Sequence, residues 1–369
     1  MGHYHASLKG RETTVQPSLS ILGEDGHLQQ PLPEFVTAEL LLSFYKSMVL
    51  TRSFDKKCVA LQRTGQLGTY PSCLGQEAIG TGIGYAMHPE DILVPYYRDQ
   101  ATQLIRGVSM VEQLLFWGGD ERGNCFANAS QDLPNCIPIA TQCSHAAGIA
   151  SALKLRQQKH AVVCTLGDGA TSKGDFLETL NVAGVWQLPL VLVINNNQWA
   201  ISTPSYLQSA SRHLADKAQL AGIEGIRVDG NDVIAVYSQV AMALKKARSG
   251  KGPTLIEAIS YRLGDHTTAD DASRYRNNED VNQAWQREPI KRLQTLLHQQ
   301  HFWNPEDETQ LQRHCQELVE KAVQQYLNLP PQQPEDLFDH LFARLPDAYR
   351  QQRDALLQKA RLRHNHGEG

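Results

Sequence analysis

The stretch HAVVCTLGDGATSKGDFLETLNVAGVWQLPLVLVINNN, residues 160–197, holds two apolar runs that each stop at a polar cluster. The first ends in Gly167-Asp168-Gly169 and the second in Asn195-Asn196-Asn197. Neither run alternates apolar with polar residues, so both read as strands covered on both faces, the habit of a parallel sheet. Between them, DFLETLNVAGVWQ (175–187) places Phe176, Leu180 and Ala183 on one helical face. Strand, helix, parallel strand is the unit of an open α/β fold, whose ligands collect at the carboxyl ends of the strands. The two polar clusters therefore mark one candidate site.

The rhythm continues on both sides. GIEGIRVDG (222–230) predicts a third strand, DVIAVYSQVAMALKKARSG (232–250) a helix and PTLIEAISYRL (253–263) a fourth strand. Upstream, DILVPYYRD (91–99) predicts a short strand and turn. TAELLLSFYKSMVLTRSFDKKCVALQRTG (37–65) predicts a long helix that Gly65 can stop. Past residue 283 the pattern turns helical and polar, with a Pro/Gln spacer NLPPQQPED (328–336). The chain thus divides into an N-terminal arm (1–34), an α/β domain (35–330) and a helical C-terminal tail (331–369), whose end RLRHNHGEG reads as disordered.

Net charge is −4 over 369 residues, 20% of them charged, which suggests neither a nucleic-acid-binding face nor a lipid-binding basic patch. No apolar run reaches membrane-spanning length, and MGHYHASLKGRETTVQPSLS (1–20) has no apolar signal core and reads as a flexible arm. Seven cysteines without a CxxC pair suit a reducing cytoplasm better than a disulfide framework. His145, in TQCSHAAGIASALKL (141–155), is expected to be a packed helix residue, and Ala146, Ala147, Gly148 and Ala150 to permit close helix packing.

Glycines at a strand end let the backbone approach a phosphate, while Asp and Asn oxygens suit a hard cation such as Mg2+. The inferred ligand is a diphosphate bound through Mg2+. The dinucleotide fingerprint fails, because the next glycine after Gly169 is Gly174 and the second strand ends in asparagines rather than an acid. The phosphate-loop motif fails as well, since Ser172-Lys173-Gly174 runs in the wrong order.

Gly167-Asp168-Gly169 followed, 26 residues later, by Asn196-Asn197 resembles the thiamine diphosphate motif. With LQRTGQLGTYPSCLGQEAIGTGIG (61–84), YYRDQ (96–100), IRVDGNDVIAVY (226–237) and YRLGDHTTADDASRYR (261–276), the chain resembles the α subunit of the E1 component of 2-oxo acid dehydrogenase complexes. The resemblance covers roughly residues 20–355 and implies the thiamine diphosphate-binding fold.

It implies that Asp168, the Asn197 side chain and the Trp199 carbonyl ligate Mg2+. Gly167, Gly169, Ala170, Tyr97 and Arg98 would meet the diphosphate, Ile137 and Ile139 the aminopyrimidine. His266 would be the active-site loop histidine. Thr141 and Gln142, in IATQ (139–142), could hold a structural K+ as in branched-chain enzymes. The glutamate that activates the cofactor belongs to a separate β subunit in this family. The resemblance therefore implies an α2β2 heterotetramer, inactive as a single chain, that passes an acyl group to the lipoyl group of E2.

Pyruvate is the first expectation for the substrate, on chain length, GQEAIG (75–80) and SILGEDGHL (20–28). Branched-chain 2-oxo acids come second, on IATQ and GDHTTADDASRYR (264–276), and an acetoin dehydrogenase α subunit is the further alternative. Pro71 and Gln100 stand where related enzymes carry histidines. Thr267, Thr268 and Ser273 are hydroxyls on the His266 loop, for which no phosphorylation is expected.

Overall fold

The structure, a computed structural model, describes residues 18–339 and 342–365. In chain order the first half carries α1 (Ala38–Arg63), α2 (Glu77–Ala86), β1 (Ile92–Val94), α3 (Gln100–Arg106), α4 (Met110–Trp117), α5 (Thr141–Leu155), β2 (Val162–Gly167), α6 (Gly174–Val185) and β3 (Leu190–Asn196). There follow β4 (Trp199–Ala200), β5 (Thr203–Pro204), α7 (Ser205–Gln208), β6 (Glu224–Asp229), α8 (Val233–Arg248) and β7 (Thr254–Ile259). The C-terminal helices are α9 (Asn278–Gln286), α10 (Pro289–Gln299), α11 (Pro305–Leu327), α12 (Asp336–Asp339) and α13 (Asp347–Asn365).

Five strands form one parallel sheet in the order β1-β2-β3-β7-β6. Side chains leave a strand alternately to its two faces, and the core divides on that rule. Val163, Val191 and Val193 join the cluster that holds Phe44, Met48, Ile83 and Val240. Val162, Cys164, Leu166, Leu190, Leu192 and Ile194 join the one that holds Ala146, Phe176 and Leu180. Both faces are buried, which is why β2, apart from Thr165, and β3, up to Ile194, are apolar.

An exposed strand edge invites pairing with another chain, and here both edges are closed. Leu19 adds a parallel bridge beside β6, its N–H donating to Arg227 O at 3.0 Å and its carbonyl accepting from Asp229 N. At β1, Leu93 N donates to Asp132 Oδ1 at 2.9 Å and Cys136 N to Pro95 O at 3.3 Å. The arm is accordingly not free from Ser18 onward: Ile21 and Leu22 are buried, and their N–H groups both donate to Asp232 Oδ2 at 2.7 Å. Residues 1–17 lie outside the described residues. At the other terminus α13 carries helix through Arg361–Asn365, which the sequence placed in a disordered chain end, while residues 366–369 are outside the description.

His145 is exposed. Cys143, Ala146, Ala147, Ala150 and Leu153 form the buried face of α5, and His145 projects outside that arc. Gly148 likewise faces open space. None of the seven cysteines is in a disulfide. Among the described residues no helix is long and apolar enough to cross a membrane.

The small residues of α2 have a steric reason. The helix is sandwiched between α3 and α8, and a Cβ on Gly80 would lie 2.7 Å from Ala101 Cβ. A Cβ on Gly82 would lie 2.7 Å from Val236 Cγ1 and 2.9 Å from the Tyr237 backbone N. Alanine favours a helix over glycine by about 1 kcal/mol, but overpacking costs about 1–3 kcal/mol, and here the clash includes backbone. Gly82→Ala should therefore lower the urea unfolding midpoint at unchanged slope; an equal or higher midpoint would show that α8 can yield.

Candidate active site

β2 and β3 run side by side with Gly167 opposite Asn195. That register brings the two polar strand ends to the same level. Asp168 opens a 3-10 turn (Asp168–Ser172) and is 2% exposed. Its Oδ2 has no hydrogen-bond partner, and burial pushes its carboxyl up to about 6. Of the three asparagines, Asn195 donates to Tyr96 Oη at 2.8 Å and Asn196 to Glu257 Oε1 at 2.7 Å, so both are committed to the scaffold. Asn197 lines the cleft, with Oδ1 accepting from Trp199 N at 3.1 Å.

The cleft has a volume of about 210 Å3. Tyr97, Arg98, Ile139, Gly167, Asp168, Gly169, Ala170, Asn197, Trp199 and His266 all line it. Ile137 does not; it is 50% exposed outside the cleft. Gln142 lines it too, donating to Thr165 O at 3.0 Å while its buried Oε1 has no partner; Thr141, beside it, is half-buried. Gly169 is required to be small, since a Cβ there would lie 2.9 Å from Ala200 Cβ.

Two guanidiniums face this end of the sheet. Arg98 is 4% exposed, donates to Ser72 O at 2.5 Å and His266 O at 3.0 Å, and lies over the Tyr97 ring. Arg262 is wholly buried and donates to Trp199 O at 3.4 Å, Ile201 O at 2.8 Å and Tyr275 Oη at 2.6 Å. Burial lowers its pKa to about 10. Both face His266 Nδ1, at 3.2 and 3.4 Å. A guanidinium only donates, so Nδ1 accepts and the ring proton is assigned to Nε2. Burial, then Arg98 and Arg262, push the imidazole down to about 4, which keeps it neutral at physiological pH.

The donor set fits a hard cation beside an anion. Asp168 Oδ2 is a buried carboxylate oxygen without a partner, Asn197 and the Trp199 carbonyl add neutral oxygens, and two buried cations stand close by. Arg262, Gln76 and Tyr275 were missed from the sequence. Arg262 had a signal, as a cation at the end of an apolar strand four residues before His266. Gln76, whose Oε1 accepts from Tyr96 Oη at 3.3 Å and Asn197 Nδ2 at 3.5 Å, had none, because its partners lie far off in the chain.

A family model described as "Dehydrogenase E1 component" matches residues 45–335. The 3-methyl-2-oxobutanoate dehydrogenase subunit alpha of Mycobacterium tuberculosis is 38% identical over 344 residues, 92% of this chain and 93% of that relative. The pyruvate dehydrogenase E1 component subunit alpha of Acholeplasma laidlawii is 40% identical over 319 residues, 85% and 92% of the two chains. The subunit of the same name from Bacillus subtilis is 35% identical over 345 residues, 93% of each chain. The chain therefore belongs to the dehydrogenase E1 component family, among the α subunits of the 2-oxo acid dehydrogenases.

Proposed function

We propose that the cleft takes the diphosphate of thiamine diphosphate through Mg2+, and that the chain, with a β subunit, decarboxylates pyruvate and passes the acyl group to the lipoyl group of E2. The observation that carries this reading is the unpartnered Oδ2 of Asp168, which lines the same cleft as Asn197 and feels two buried guanidiniums, Arg262 and Arg98. When bound, the cofactor supplies the nucleophilic carbon and the electron sink. The chain's own residues bind and orient. Asp168, Asn197 and the Trp199 carbonyl would hold the metal, while Arg98 and Tyr97 would meet the diphosphate. His266 would donate from Nε2 into the cleft, since Nδ1 is occupied by two guanidiniums.

The division into an arm (1–34), a cofactor domain (35–330) and a tail (331–369) is retained as part of this reading, as is a cytoplasmic location. Branched-chain 2-oxo acids are the second reading. Gln142 favours it, because a buried carbonyl oxygen without a partner suits the structural K+ that Thr141 and Gln142 would hold.

The deciding assay is decarboxylation with an artificial electron acceptor by the chain co-expressed with its β subunit, comparing pyruvate with 3-methyl-2-oxobutanoate. Faster turnover of pyruvate is expected, with none by the chain alone; preference for the branched acid would move the protein to the second reading. Asp168→Ala should cost more than about 100-fold in activity, given that even outer residues of metal sites cost about 10–100-fold. Because Mg2+ must displace a proton from Asp168 below about pH 6, half-saturating Mg2+ should rise roughly tenfold between about pH 7 and pH 5. A requirement independent of pH over that range would remove Asp168 from the metal.

A further inference from the structure

The turn that carries Asp168 is held from behind by a residue outside the cleft. After β3 the chain reverses through left-handed backbone at Gln198 (φ 69°) and Ile201 (φ 55°), and Ser205 N donates to Gln198 O at 3.0 Å. The reversal lays α7 against the 3-10 turn 168–172. There Gln208 Nε2 donates to Asp168 O at 2.9 Å, to Gly169 O at 3.2 Å and to Ser172 Oγ at 2.7 Å. Ser172 Oγ returns a bond to Gln208 O at 3.2 Å. Three acceptors around one nitrogen fix the orientation of the amide. At the far end of the turn Lys217 Nζ donates to Thr171 O at 2.9 Å and Thr171 Oγ1 at 3.0 Å.

A strand that breaks into a 3-10 turn leaves carbonyls without ladder partners, and buried carbonyls need donors. Gln208 supplies a side-chain donor to two in succession, that of Asp168, which also accepts from Thr171 Oγ1 at 2.8 Å, and that of Gly169. Fixing those peptide planes also fixes the peptide N–H of Gly169 and of Ala170 on their opposite sides, and both residues line the cleft. Accordingly, we infer that Gln208 is a positioning residue for the metal- and diphosphate-binding turn, acting through main-chain carbonyls rather than by touching cofactor or substrate. The inference rests on the cofactor reading above.

The test uses the α subunit co-expressed with β, stripped of cofactor and titrated with Mg2+ and thiamine diphosphate, followed by tryptophan fluorescence and by recovery of activity. Gln208→Leu keeps the bulk and removes the donors. It should weaken cofactor binding roughly 30-fold, the sum of two ordinary hydrogen bonds, with a smaller fall in kcat at saturating cofactor. Gln208→Glu sets a carboxylate against two carbonyls and should weaken binding at least as much. Ser172→Ala should cost roughly two- to threefold.

Wild-type affinity in Gln208→Leu or Gln208→Glu overturns the inference. So does a lower melting temperature of the cofactor-free assembly with unchanged affinity, which is what a purely structural role would give. If Gln208→Leu does not assemble, Ser172→Ala decides in its place: weakened binding supports the inference and unchanged binding overturns it. A wild-type assembly that binds no thiamine diphosphate would overturn the reading of the site, and this inference with it; failure confined to the variants' expected loss leaves that reading standing.

Discussion

The register between β2 and β3 is the constraint on which the site depends. With Gly167 opposite Asn195, the residues that follow each strand leave the sheet at one level, and Asp168 and Asn197 come to line one cleft. Slipping a strand by one residue would turn every side chain to the wrong face. Here that would expose Val163 or Cys164 to the opposite core, so the two hydrophobic clusters fix the register that chemistry uses. The closed edges serve the same end, because the Leu19 bridge at β6 and the 132–136 segment at β1 hold the outer strands in place.

The electrostatics of the cleft follow from burial. Asp168 is pushed up to about 6, Arg262 down to about 10 and His266 down to about 4. Each shift runs toward the neutral form, as desolvation requires. Two guanidiniums and a carboxylate held this way have charge in excess of their partners within the chain. A cation at Asp168 and an anion near Arg98 would complete the set, and meanwhile only the cationic side chains, which donate, can be tied to main-chain carbonyls. Arg262 uses that reach: its bond to Ile201 O holds a β-branched residue in left-handed backbone, a conformation that costs about 1–3 kcal/mol unless its surroundings enforce it.

Much of this fold was legible because α/β periodicity is a local signal. β2, α6, β3, β6, α8 and β7 were read from apolar runs and helical spacing, and Gly65, at φ 75°, closes α1 where its lack of a Cβ is useful. The strand order was not legible, because β7 inserts between β3 and β6 by long-range pairing that leaves no local trace. The arm was misread for a related reason: Ser18 to Leu22 are irregular in sequence but find donors and acceptors on β6 and Asp232. At the site, motif spacing found Asp168 and Asn197, and the family resemblance added Tyr97, Arg98, Ile139 and His266. Arg262 and Gln208 were missed, since an arginine or glutamine bonded to main-chain carbonyls needs no particular sequence at the other end.

Pro71 and Gln100, the two positions at which related enzymes are expected to carry histidines, meet in the structure. Gln100 Nε2 donates to Pro71 O at 2.9 Å, so the two departures are bonded to each other. Position 71 contributes its carbonyl to this bond, which any residue could supply, whereas position 100 must supply a donor. Neither side chain lines the cleft. Their shared role is to close a buried hydrogen bond between the segment after α1 and the start of α3, one that also lies beside Ser72, whose carbonyl anchors Arg98. Ile139 and Ile201 are this chain's largest aliphatic contributions to the lining of the cleft. Both are more than two-fifths exposed, at 44% and 56%, so the described residues leave this apolar side of the cleft open.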